Sequence, residues 1–87
     1  MLIYVMEDLE DGTRLISYSK EGFGSFVTSN YTEAQVKSNK LEFFVFDVSK
    51  QEVLDELHET KEKNSLARAV LEYKEEYEER YKREMLK

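Results

Sequence analysis

Over the last quarter of the chain, apolar and tyrosine side chains return every third or fourth position, at Leu66, Val70, Tyr73, Tyr77, Tyr81 and Met85, through a stretch otherwise made mostly of Glu, Lys and Arg. That spacing predicts one face of an amphipathic helix spanning about 65–87. Steps of four residues turn the stripe by about 40° each, so from Tyr73 to Met85 it winds across roughly 120° of the helix surface, more than one small sheet can cover. The sequence therefore predicts that the proximal turns pack and that the last two project. Tyrosine and methionine are enriched at interface cores, which makes these six residues a candidate contact surface.

A different period governs the rest. Residues 2–6 and 13–19 flank an Asp11-Gly12 pair, a favoured turn sequence because both central positions of a tight hairpin turn need positive φ, and they predict a β-hairpin. Gly22 and Gly24 mark a loop before a short third strand at about 25–28. Thr32 and Gln35 have capping-box spacing, with Tyr31 and Val36 placed as a staple, so a short helix begins there and fails by Ser38-Asn39. Residues 41–48 hold the densest aromatic and β-branched run, and the four consecutive apolar residues 43–46 predict a central strand covered on both faces.

Ser49 and Glu52 repeat the capping pattern, opening a helix with Val53, Leu54 and Leu57 on its apolar side. At about 100° per residue, those three point nearly opposite to Leu66, Val70, Tyr73 and Tyr77. One straight helix would have to bury two opposing faces, whereas the wholly polar residues 59–65 offer Asn64 or Ser65 as a cap. Two helices with a break near 60–65 are predicted over one continuous helix. The element order is β-β-(β)-α-β-α-α, an α+β fold with a small antiparallel or mixed sheet and a long charged C-terminal helix. A length of 87 residues makes this a single domain, with an α+β body over 1–60 and the amphipathic helix beyond it.

Composition changes the picture in three ways. Cysteine is absent, which removes disulfides and thiolate chemistry together and suits a cytoplasmic protein. The chain opens on an apolar strand-like run without a basic leader, unlike a signal peptide, and no apolar run approaches a membrane span. A net charge of −6 disfavours direct nucleic-acid binding. The acidity gathers around the first turn, at Glu7, Asp8, Glu10 and Asp11.

Candidate chemistry is sparse. His58 is the sole histidine and no G-x-S-x-G sequence accompanies it, so nucleophilic catalysis has no visible machinery. Around His58, helical spacing supplies at most Asp55 and Glu62, too few for a zinc site. The acids at 7–11 do not follow the EF-hand spacing, and Gly22-Phe23-Gly24-Ser25 lacks the ending of a phosphate-binding loop. No catalytic residue, metal or cofactor is expected. The reading is a small non-enzymatic interaction protein, a regulator, adaptor or inhibitor that binds a protein partner or a second copy of itself through the tyrosine-rich helix. The alternative is an acidic mimic that occupies the basic groove of a nucleic-acid-binding protein through Glu7, Asp8, Glu10 and Asp11. A compact acidic chain of this kind suits the accessory proteins of bacteria and their phages.

Overall fold

The computed structural model describes residues 1–85, with side chains through Arg83. Three strands and four helices follow in the order β1 (Leu2–Asp8), β2 (Arg14–Ser17), α1 (Lys20–Asn30), α2 (Glu33–Val36), β3 (Leu41–Asp47), α3 (Gln51–Thr60) and α4 (Ser65–Met85). The class is α+β. Two compact units divide the chain, Met1–Asp47 and a second beginning at Val48.

In the first unit the sheet is antiparallel, in the order β2-β1-β3. The central strand is thus β1, not the 41–48 run, which lies at an edge. Pattern alone did not separate them, because residues 2–6 are also apolar at every position and so carry the same two-faced signal. Ile3 and Val5 share one face of β1 and are fully buried, while Met6 on the other face is 1% exposed. On β3, by contrast, Phe43 and Val45 are 43% and 59% exposed, and Phe44 and Phe46 are half-buried.

The two remaining corrections in this unit concern turns. Residues 20–30 form helix α1 where a loop and a short strand at 25–28 were expected. Ser19 caps it, accepting from the Gly22 amide at 3.1 Å. Phe23, Val27 and Tyr31 recur at four-residue spacing and share one core with Met6, Leu41, Leu15 and Val36. Burying that stripe outweighs the cost of two helical glycines, each about 1 kcal/mol against Ala. An alanine Cβ at Gly24 would meet open space, so Gly24→Ala is expected to stabilise the protein by roughly 0.5–1 kcal/mol, measured as a rise in the urea midpoint at unchanged slope.

The first hairpin closes through a longer loop than the two-residue turn predicted. The Asp8 amide donates to the Thr13 carbonyl at 2.9 Å, and the Gly12 amide donates to the Asp8 carbonyl at 2.8 Å. Gly12 has φ +75°, whereas no other described residue has positive φ, Asp11 included. The capping box opening α2 forms as read from sequence. The Gln35 amide donates to Thr32 Oγ1 at 3.2 Å and the Thr32 amide to Gln35 Oε1 at 2.8 Å.

In the second unit α3 and α4 pack together across the four-residue connection 61–64. The break falls where the opposed apolar faces required it, and Asn64 caps α4, its Oδ1 accepting from the Leu66 amide at 3.0 Å. At the other end the N-cap of α3 is Lys50, without a side-chain capping bond, rather than Ser49. Leu57 is the buried residue of α3, and Leu66, Ala67, Val70 and Leu71 are buried on α4. With 10 residues α3 is about 15 Å long, and α4 with 21 is about 31 Å. The shorter helix can flank only the first half of the longer one.

Candidate functional site

Burial changes along the tyrosine stripe from one end of α4 to the other. Leu66 and Val70, in the half of α4 that α3 can reach, are 9% and 0% exposed and belong to the core. Tyr73 and Tyr77 are half-buried. Tyr81 is 55% exposed, and the side chain of Met85 lies outside the described residues. The stripe thus passes from packed to solvent-facing along its own length. Around its distal part, Glu75, Glu76, Glu78, Glu79, Arg80, Lys82 and Arg83 are all exposed. Lys74 and Glu78 form an i, i+4 ion pair on the same stretch, worth a few tenths of a kcal/mol, about the level of any exposed helical pair.

Each of the four acids of the first hairpin has a local task. Asp8 is 9% exposed, and its carboxylate accepts from the Glu10 amide at 2.9 Å and from the Tyr31 hydroxyl at 3.3 Å. This pins α1's end to the sheet and satisfies a buried carboxylate that would otherwise be costly. Glu7 stands opposite Arg14 across the β1–β2 ladder and pairs with it at 3.5 Å. Glu10 pairs with Lys40 at 2.5 Å, and this raises the Lys40 pKa through the hydrogen bond and the charge of Glu10.

Asp11 accepts from the Thr13 amide at 2.9 Å and from the Thr13 hydroxyl at 2.7 Å, and these bonds hold its carboxyl below the usual value. A depressed carboxyl stabilises the folded state above its unfolded pKa, and the contribution fades as pH falls through the lowered folded value. The raised Lys40 acts at the other end of the scale, its contribution fading only as pH rises past the ordinary lysine range.

Sequence reasoning missed an apolar patch on the sheet. Leu2, Phe43 and Val45 are each more than two-fifths exposed. They continue the face of β1 that carries Tyr4, whose ring lies 5.8 Å from that of Phe23, and Phe23 meets Phe43 edge-on at 6.3 Å. The signal was present in the unbroken apolar run of β3, which was read there as complete burial.

The remaining features carry little chemistry. A cleft of about 350 Å³ beside the hairpin is lined by Asp8, Glu10, Tyr31 and Lys40 among others, all engaged as described. Another of about 380 Å³ lies along α3 and α4 beside His58, Arg68 and Glu72. His58 is exposed. Among the described residues no cluster of His, Asp or Glu could hold a metal ion, and no helix is long and apolar enough to cross a membrane. Gly22-Phe23-Gly24-Ser25 lies inside α1. No protein-family model, curated protein or solved structure matches the chain.

Proposed function

We propose that this chain is a non-enzymatic interaction protein, acting as a regulator, adaptor or inhibitor in the cytoplasm, and that it engages a protein partner through the distal half of α4. One observation carries the reading: Tyr81, a large amphipathic side chain on the same stripe as buried Val70, is more than half exposed in the part of the helix that α3 is too short to flank. An exposed tyrosine contributes little to the fold of a monomer, whereas in an interface its ring buries apolar area while its hydroxyl keeps a polar contact. The alternative, an acidic mimic built on Glu7, Asp8, Glu10 and Asp11, has weaker support. Its acids hold Arg14, Lys40, Thr13 and Tyr31, so little of their charge is left for a basic groove.

The test compares wild type with Tyr81→Ala. The variant is expected to keep the unfolding free energy measured in urea within about 0.5 kcal/mol of wild type while its association weakens by about 2 kcal/mol, some thirtyfold. Association here means both self-association in sedimentation and capture of host proteins on immobilised chain at low and high salt. If the variant associates with itself and with every captured protein as strongly as wild type does, the helix is not the contact surface. Capture abolished instead by neutralising the four hairpin acids would favour the mimic.

A further inference from the structure

Charge is not mixed evenly along the exposed part of α4. Glu75, Glu76, Glu78 and Glu79 precede Arg80, Lys82 and Arg83, so the sign reverses between Glu79 and Arg80. All seven side chains are exposed. The reversal lies midway along the segment that also carries Tyr77 and Tyr81.

Around the helix, at about 100° per residue, Tyr77 and Tyr81 mark a midline. Glu78 and Lys82 fall on one flank of it, Glu76 and Arg80 on the other. On each flank an acid stands one turn before a base. A helix charged in this way is complementary to its own antiparallel copy. Laid parallel, it would set acid block against acid block and base against base, which is unfavourable.

We infer that the partner seated on the distal half of α4 is a second copy of this chain, with the two helices antiparallel about a two-fold axis near Glu79. The inference rests on the interface reading given above. About that axis Tyr77 of one copy lies level with Tyr81 of the other, forming a short aromatic seam. A two-fold perpendicular to the helices keeps each flank facing the same flank of the partner with its direction reversed. Glu78, which also holds Lys74 within its own helix, then approaches the partner's Lys82, and Glu76 the partner's Arg80, each contact occurring twice. The pairing is isologous and closes on itself, as the commonest soluble oligomers do. In this arrangement the tyrosines supply most of the affinity, and the charges fix direction and register.

The experiment uses the full chain and two charge variants. One carries Arg80→Glu, Lys82→Glu and Arg83→Glu, making the segment uniformly acidic; the other carries Glu75→Lys, Glu76→Lys and Glu78→Lys, making it predominantly basic. Sedimentation equilibrium over a wide concentration range is expected to show a wild-type dimer. Each variant alone is expected to dimerise at least about tenfold more weakly, and an equimolar mixture of the two is expected to regain wild-type affinity or better as a heterodimer. Far-UV circular dichroism checks that each variant keeps its helix. If one does not, the single changes Lys82→Glu and Glu78→Lys replace the triples in the same mixing design.

Variants that dimerise alone as strongly as wild type, or that fail to recover on mixing, overturn the antiparallel pairing. A wild type that stays monomeric at every concentration overturns the second copy as partner. In that case, Tyr81-dependent capture of a different protein would leave the interface reading standing. Loss of both responses to Tyr81→Ala would remove the reading and the inference together.

Discussion

Ile3→Ala is expected to destabilise the protein by about 2–5 kcal/mol, the range for truncating a fully buried aliphatic side chain whose cavity does not collapse. Ile3 is 0% exposed on the central strand, where its register partner is Phe46. A chain of this length holds roughly 5–10 kcal/mol in total, so the variant would sit near its unfolding threshold. Urea denaturation followed by circular dichroism measures the loss. The informative control is Val45→Thr, which changes an equally β-branched residue of the same sheet at 59% exposure and is expected to cost no more than about 0.5 kcal/mol. Losses of similar size for the two would contradict the placement of the core on β1. Phe44 and Phe46 are half-buried on the edge strand and stack on one another with ring centroids 6.3 Å apart. Their truncation should therefore fall between these limits, below what a central-strand position would give.

The contrast between β1 and β3 shows what patterning can and cannot specify. Local rules with a short reach were legible at some positions and not at others, the capping pattern forming at Thr32 while α3 takes Lys50 rather than Ser49 as its N-cap. The Thr32 and Gln35 side chains close a ring over three residues, and the helix break at 61–64 follows from apolar faces that a single straight helix would have opposed. Strand order is different in kind. It depends on which partner each strand finds, and two all-apolar runs of similar length give no local reason to prefer one for the centre. Helix α1 was missed because two glycines and Thr28 lower its intrinsic propensity, while what stabilises it is tertiary: Phe23, Val27 and Tyr31 against Met6 and Leu41. That four-residue spacing stood in the sequence, with Ser19 in place to cap it.

The candidate sites divide in the same way. The acids at 7–11 were visible as a cluster, yet their partners were not, since Tyr31 lies 23 positions from Asp8 and Lys40 comes to Glu10 only once β3 is paired to β1. The stripe on α4 was read as a whole, though its two ends differ. Periodicity tells which residues share a face, not how far along that face burial extends. Leu66 and Val70 are core, and solvent exposure rises toward Tyr81.

Leu57→Ala is expected to cost a similar 2–5 kcal/mol, with the loss concentrated in helix content. Leu57 is the buried residue of α3, a helix whose N-cap residue, Lys50, makes no side-chain capping bond. Ten residues fall below the roughly 12–15 at which an isolated helix becomes even marginally stable in water, so without Leu57 there is little to hold α3 in register with α4. Asn64→Ala provides the calibration. It removes one capping bond, to the Leu66 amide, and is expected to cost about 1 kcal/mol, leaving both helices in place. Backbone amide exchange resolves the two outcomes: in Leu57→Ala, protection should drop across 51–60 and the first turns of α4, whereas in Asn64→Ala the drop should stay near 65–68. Unchanged protection in α3 after Leu57→Ala would mean that some other contact anchors the helix pair. Because α3 flanks only the proximal half of α4, protection around Tyr81 should respond to neither substitution directly, and a matching loss there would show that the distal half of α4 depends on the α3–α4 pair for its own stability.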